Sequence, residues 1–282
     1  MIVYYAAGGG LGHATRARRV LDALRIEDAV IVASAPADAR VTGRYRVVQA
    51  PCDLRALDPE RIIADVFPLG MFGELADIGV PLDYVARLLR WDEYRRCVPH
   101  PLPRFGTTYL AEEVTHAVPS ERVVALDLRV DAAPAPFERI VDLTRSAGVL
   151  AGWTGGVPPP RRDGAQPAVG TTALPWLVVH SGPESEVREL VAYAEELQRI
   201  EGDASEIVVA SQCGIGIDVI PASPLFAGAK RIVSAAGFNV MLETEPYRDK
   251  HHVVPMPRRF DDQFARAARR RYDSSSRICA AR

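Results

Sequence analysis

The chain has 282 residues, of which 48% are apolar and 25% charged. That is the composition of a soluble globular protein with room for one large domain or two of about 140 residues each. A formal net charge of −2 argues against nucleic acid as the main partner, and no apolar run reaches the roughly 20 residues needed to span a bilayer. Cys52, Cys97, Cys213 and Cys279 show no paired metal-ligand spacing. With no signal-peptide pattern at Met1-Ile2-Val3-Tyr4, a reduced cytoplasmic setting is expected.

The apolar run at residues 2–7 predicts a buried first strand. It runs into Gly8-Gly9-Gly10-Leu11-Gly12-His13-Ala14-Thr15-Arg16, and Ala14, Ala17, Val20, Leu21 and Leu24 then recur at helical spacing. Strand, glycine turn and helix together present free backbone N–H groups and the positive end of a helix dipole to an anion. Gly9, Gly10 and Gly12, with Arg16, are the candidates for binding a phosphate or an acceptor. His13, at the helix start, is expected to point into the same opening.

Residues 29–34 and 45–51 read as the second and third strands of a parallel sheet, and 61–67 as a fourth. Asp65 falls at the carboxyl end of that fourth strand, where open α/β sheets place a ligand crevice. The simpler reading, preferred here, is a loop aspartate that caps a turn. Residues 81–90 and 122–130 are further candidate strands, while 91–104, with prolines at 99, 101 and 103, has no assignable pattern.

Glycine and proline concentrate between residues 151 and 173, which marks a linker between a domain at 1–150 and one at 174–282. The opening pattern then returns. Residues 175–180 form a strand, Ser181-Gly182-Pro183 a turn, and Val187, Leu190, Val191, Ala194 and Leu197 lie on one helical face. Strands are expected at 207–211, 217–221 and 231–234. Two α/β units in tandem would face a cleft, the natural ligand site. After Ser234 come Gly237-Phe238-Asn239-Val240-Met241-Leu242-Glu243, where Asn239 suits a helix cap. Glu243 lies one turn further on, and a carboxylate can accept two hydroxyl hydrogen bonds from a ribose.

Three segments in order carry a resemblance: Gly8–His13, Gly237–Glu243, and Phe260-Asp261-Asp262-Gln263-Phe264-Ala265-Arg266. Together they resemble the GT-B glycosyltransferases related to the enzyme that adds N-acetylglucosamine to form lipid II. The resemblance leaves residues 90–170 uncovered. It implies two Rossmann-like α/β domains with parallel sheets facing a central cleft. The implied reaction moves a sugar from a nucleotide-diphosphate sugar to a hydroxyl acceptor, without a metal or other cofactor and with inversion. On this likeness His13 is the general base or its orienting partner, and Gly9, Gly10, Gly12 and Arg16 hold phosphate of acceptor or donor. Ser234, Gly237, Phe238, Asn239, Glu243 and Gln263 hold the nucleotide sugar, with Glu243 on the ribose. It also leaves open peripheral contact with the inner face of a membrane. UDP-sugar hydrolases of pseudaminic acid synthesis share the fold and a similarly placed histidine, so hydrolysis remains an alternative. So does a nucleotide-sugar-binding protein without turnover.

The other conspicuous residues have plainer readings. His251 and His252, adjacent on a strand, point to opposite faces and cannot share one metal. In the C-terminal helix Phe264, Ala267 and Ala268 are expected to make the buried face and the arginines the solvated one.

Overall fold

The computed structural model describes residues 1–8, 10–34, 38–129 and 174–280. Gly9 and the expected linker at 151–173 lie outside the described residues. The chain divides into two compact units, one of Met1–Val130, Ala236–Glu243 and Pro255–Arg282, the other of Asp131–Ala235 and Thr244–Val254. Both carry parallel sheets, as the α/β reading of the sequence requires.

Among the described residues the first unit contains a seven-stranded parallel sheet ordered β3-β2-β1-β4-β5-β6-β7. Its strands are β1 (Ile2–Ala6), β2 (Ala29–Ala33), β3 (Arg46–Gln49), β4 (Arg61–Asp65), β5 (Leu82–Ala86), β6 (Phe105–Leu110) and β7 (Ser120–Ala125). The central strands are apolar on both faces, as a sheet covered on each side demands. Tyr4, Ile31, Ile63 and Val85 pack on one side with Ala17, Val20 and Leu21 of helix α1 (Leu11–Ala23). Val3, Tyr5, Val32, Ile62, Tyr84 and Phe105 form the core on the other. Helix α2 (Ala39–Thr42) is one turn long, and α3 (Trp91–Cys97) occupies the stretch that had no legible pattern. β6 has no counterpart among the sequence expectations, and β7 starts two residues before the strand expected at 122–130.

The second unit builds a sheet ordered β11-β10-β8-β9 from β8 (Trp176–His180), β9 (Ile207–Ser211), β10 (Arg231–Ala235) and β11 (His251–Val254). Helix α4 (Glu184–Glu201) buries Val187, Leu190, Val191 and Ala194, the face read from its spacing, and ends at Gly202 with φ 66°. Residues 217–221 make no strand; Ile217 forms a single bridge to Ala210. His251 meets Ser234 Oγ at 2.8 Å, while His252 stacks on Trp176 at 6.0 Å. The two histidines serve separate structural contacts.

Two helices complete the first unit, the short α5 (Phe238–Glu243) and the 18-residue C-terminal α6 (Gln263–Ala280). The expectation for α6 is corrected by about a third of a turn. Gln263, Arg266, Ala267 and Arg270 are buried, whereas Phe264 is 56% exposed and Ala268 is also exposed. The reason is ionic: Arg266 ends between Glu112 at 2.7 Å and Asp261 at 2.8 Å, and Arg270 donates to the Met241 carbonyl at 3.0 Å.

Candidate functional site

The site grows from the parallel register of β1 and β4. Tyr4 lies beside Ile63 and Tyr5 beside Ala64, so Asp65 sits at the carboxyl edge next to the turn that leads into α1. That turn needs glycine at position 10, where φ is +83°. His13 and Arg16, three residues apart on α1, share a face and both meet Asp65. His13 Nδ1 is 2.7 Å from Asp65 Oδ2, Arg16 Nε donates to Oδ1 at 2.7 Å, and the Tyr4 hydroxyl donates to Oδ1 at 3.0 Å. Asp65 is wholly buried. It is therefore no turn-capping loop residue but the anionic centre of this edge of the sheet.

Burial alone would raise the Asp65 carboxyl, but the Arg16 guanidinium and the His13 hydrogen bond hold it well below the usual carboxylate range. Nδ1 of His13 lies 2.7 Å from Asp65 Oδ2 and 3.1 Å from the Arg16 guanidinium. The carboxylate contact is the shorter and an ionised carboxylate only accepts, so the proton is assigned to Nδ1 and Nε2 is left with its lone pair. Burial lowers the imidazole below its ordinary value, with the Asp65 hydrogen bond acting in the other direction. Nε2 packs against Gly8, where a Cβ would collide with it. Phe67 stacks on the ring at 5.9 Å. Between Asp65 and Phe67, Val66 takes φ +68°, a conformation that costs a β-branched residue of order 1–3 kcal/mol and that concentrates at functional sites.

The other expected site residues are only partly assembled. Arg16 is 1% exposed and its guanidinium is engaged by Asp65, which turns it away from the phosphate role expected of it. Gly10 closes the turn, while Gly12 is the second residue of α1 and offers its carbonyl to Asn239 Nδ2 at 2.9 Å. Asn239 is the second residue of α5 rather than its cap, and its Oδ1 is buried without a partner. Phe238 is buried, with Arg16 and Arg87 guanidiniums 5.5 and 5.9 Å from its ring centroid. Glu243 is ion-paired with Arg19, both side chains largely buried, and Arg19 Nη1 has no partner. Gln263 Oε1 accepts from the Met256 amide at 3.0 Å. Ser234 is wholly buried in β10 and bonded to His251 and the Ala235 carbonyl. Gly237 stays half-buried, and a Cβ at that position would meet nothing nearer than Val240 at 3.8 Å.

A second ionic group, Arg87, Glu112, Asp261 and Arg266, was missed in the sequence. Arg87 Nη2 meets Asp261 at 3.0 Å, and Arg266 also donates to the Ala236 carbonyl at 2.8 Å. Burial draws the Arg87 guanidinium down to about 10 against the pull of Asp261. Asp261, which burial alone would raise, is held at about 2 by Arg87 and Arg266. No periodicity marks these four residues; the only signal was the charge density around Asp261 in the third resembling segment.

Gly8 also lines a cavity of about 850 Å³ together with Tyr5, Ala7, Ser34 and the loops that follow β3 and β4. One residue thus touches both the imidazole and the cavity. Among the described residues no group of three or more His, Cys, Asp or Glu could hold a metal ion, and no helix is long and apolar enough to cross a membrane.

No protein-family model matches the chain, and no curated protein matches it significantly. Among solved structures it is similar to the glycosyltransferase SsfS6 of Streptomyces sp. SF2575, with 13% identity over 91% of this chain and 82% of that one and a TM-score of 0.50. The glycosyltransferase SnogD from Streptomyces nogalater matches with 14% identity over 90% and 82% and a TM-score of 0.47. At such identities the likeness to SsfS6 concerns the fold, the GT-B class of parallel α/β units.

Proposed function

We propose that the protein is a glycosyltransferase that moves a sugar from a nucleotide-diphosphate sugar to a hydroxyl of an acceptor. The observation that carries this reading is the His13–Asp65 pair, with Nδ1 held at 2.7 Å by a buried carboxylate and Nε2 turned to Gly8 beside the cavity. His13 Nε2 takes the proton of the acceptor hydroxyl, and the acceptor oxygen forms a bond to the anomeric carbon. The bond from that carbon to the diphosphate breaks, and the nucleoside diphosphate leaves with the electron pair. One displacement inverts the anomeric centre. Asp65 stabilises the imidazolium as it forms, and Arg16 and Tyr4 position Asp65. Gly237, Phe238, Asn239, Glu243 and Gln263 are proposed to hold the donor, and Gly10 and Gly12, at the start of α1, its phosphates or the acceptor. In the alternative of hydrolysis the same base would act on water, and the dependence of product release on an acceptor separates the two. The test is a thermal-shift screen of nucleoside diphosphates and their sugars, followed by product analysis. Binding with no turnover of any nucleotide sugar would leave only a binding protein.

If Glu243 receives the ribose, it must release Arg19. Glu243→Ala should therefore weaken nucleotide binding by about 1.5–3 kcal/mol, the value of charge-assisted hydrogen bonds. Arg19→Ala, by freeing the carboxylate, should tighten it. Calorimetric titration that finds neither variant changed removes Glu243 from the site.

The chain has no Asp-x-Asp pair to hold a metal-bound diphosphate. Turnover is accordingly expected to persist in excess chelator. Complete loss, restored by magnesium or manganese, would contradict this part of the mechanism.

A further inference from the structure

Resting on the transferase reading, we infer that the cavity beside His13 admits an apolar acceptor bearing a protonated amine and no phosphate or carboxylate. Its walls are apolar at Ala7, Ala50, Leu54, Met71 and Ile78, a surface that favours a ligand with a hydrocarbon or aromatic body. Phe72, on the same wall, leaves 83% of its surface in water. A large aromatic side chain so exposed at a cavity has area for a ligand to cover.

The charged lining is net negative. Asp53, Glu74 and Asp77 supply three carboxylates against the single guanidinium of Arg55. Arg55 is turned to backbone, donating to the Asp77 carbonyl at 2.6 Å and the Ile78 carbonyl at 3.4 Å. Glu74 is fixed in place by the Tyr5 hydroxyl and by the amides of Met71 at 3.0 Å and Phe72 at 2.6 Å. The same surroundings act on Cys52, whose thiol is pushed up by burial and by Asp53. A cavity so charged attracts a cation and repels an anion over about a Debye length. A diphosphate-bearing acceptor, which the sequence resemblance suggests, is disfavoured there.

Three fluorescent probes of one body and different charge test this: dansylcadaverine (cation), N-butyl dansylamide (neutral) and dansylglycine (anion). The cation should bind roughly 3–10-fold more tightly than the neutral probe and the anion more weakly, with the spread shrinking in 0.5 M salt. The double variant Asp53→Asn/Asp77→Asn, at exposed positions, should level the three affinities at an unchanged melting temperature. Phe72→Ser should weaken all three. Equal or reversed affinities in the wild type, or an order that survives the double variant, would overturn the inference. Charge-ordered binding without transfer from any nucleotide sugar would support the cavity assignment and remove the transferase reading. Transfer that prefers phosphorylated acceptors would do the opposite.

Discussion

Replacing His13 with Ala should lower kcat by about 10²–10⁴, the usual share of a general base, while donor affinity hardly moves. The imidazole is bonded to Asp65 through Nδ1 and presents Nε2 at Gly8, so its loss removes the proton acceptor. Because burial sets its pKa below the ordinary 6.5, the base is already neutral at pH 7. The rate should lie on a plateau there and begin to fall only below about pH 6.5. His13→Ala should abolish that limb of the profile. A histidine that merely closed the turn would show little kinetic change and about 1 kcal/mol of lost stability.

Asp65→Ala should be strongly destabilising. It leaves the Arg16 guanidinium, 1% exposed, without its counter-charge, and breaking one side of a buried pair costs about 3–5 kcal/mol. At 2–4 °C per kcal/mol the melting temperature should fall by roughly 6–20 °C. Asp65→Asn separates stability from chemistry. The amide keeps the shape but can donate to Nδ1, which moves the imidazole proton to Nε2 and disables the base. The expected kinetic loss is again about 10²–10⁴-fold, with less unfolding than in the Ala variant. The pH dependence has a definite sign. The carboxyl's folded pKa lies below its unfolded value of about 3.9. Its stabilisation is thus complete above that pH and is lost as the pH falls below it. Wild-type denaturation by acid should steepen below about pH 4, and Asp65→Asn should flatten it.

The glycine turn, His13, the first-unit strands through β5 and the helix α4 were legible because local pattern specifies them. Apolar runs bounded by turn residues need no partner to be recognised. Asp65 was seen at its strand end but undervalued. Its partners stand 49 and 52 residues away in the chain, and only the β1–β4 register brings them together. Arg16 and Arg266 failed for the same reason in reverse. Each reads as a solvated or ligand-facing arginine until its buried carboxylate is known. The face of α6 was misread because hydrophobicity alone would bury Phe264, whereas two ion pairs and a backbone carbonyl draw Arg266 and Arg270 inward. β6 escaped notice because Phe105-Gly-Thr-Thr-Tyr-Leu buries Thr107 and Thr108 and so lacks an apolar run. The cavity is assembled from several loops that no local pattern connects.

The central claim is that the His13–Asp65 pair deprotonates an acceptor hydroxyl. Its most direct test is the rate of nucleoside diphosphate release from a nucleotide sugar, measured with and without an acceptor. The wild type should release it slowly until the acceptor is added, because the base needs a positioned hydroxyl rather than bulk water. His13→Ala should lose the acceptor-dependent rate. Release at full speed without acceptor, or an acceptor-dependent rate unchanged in His13→Ala, would contradict the account.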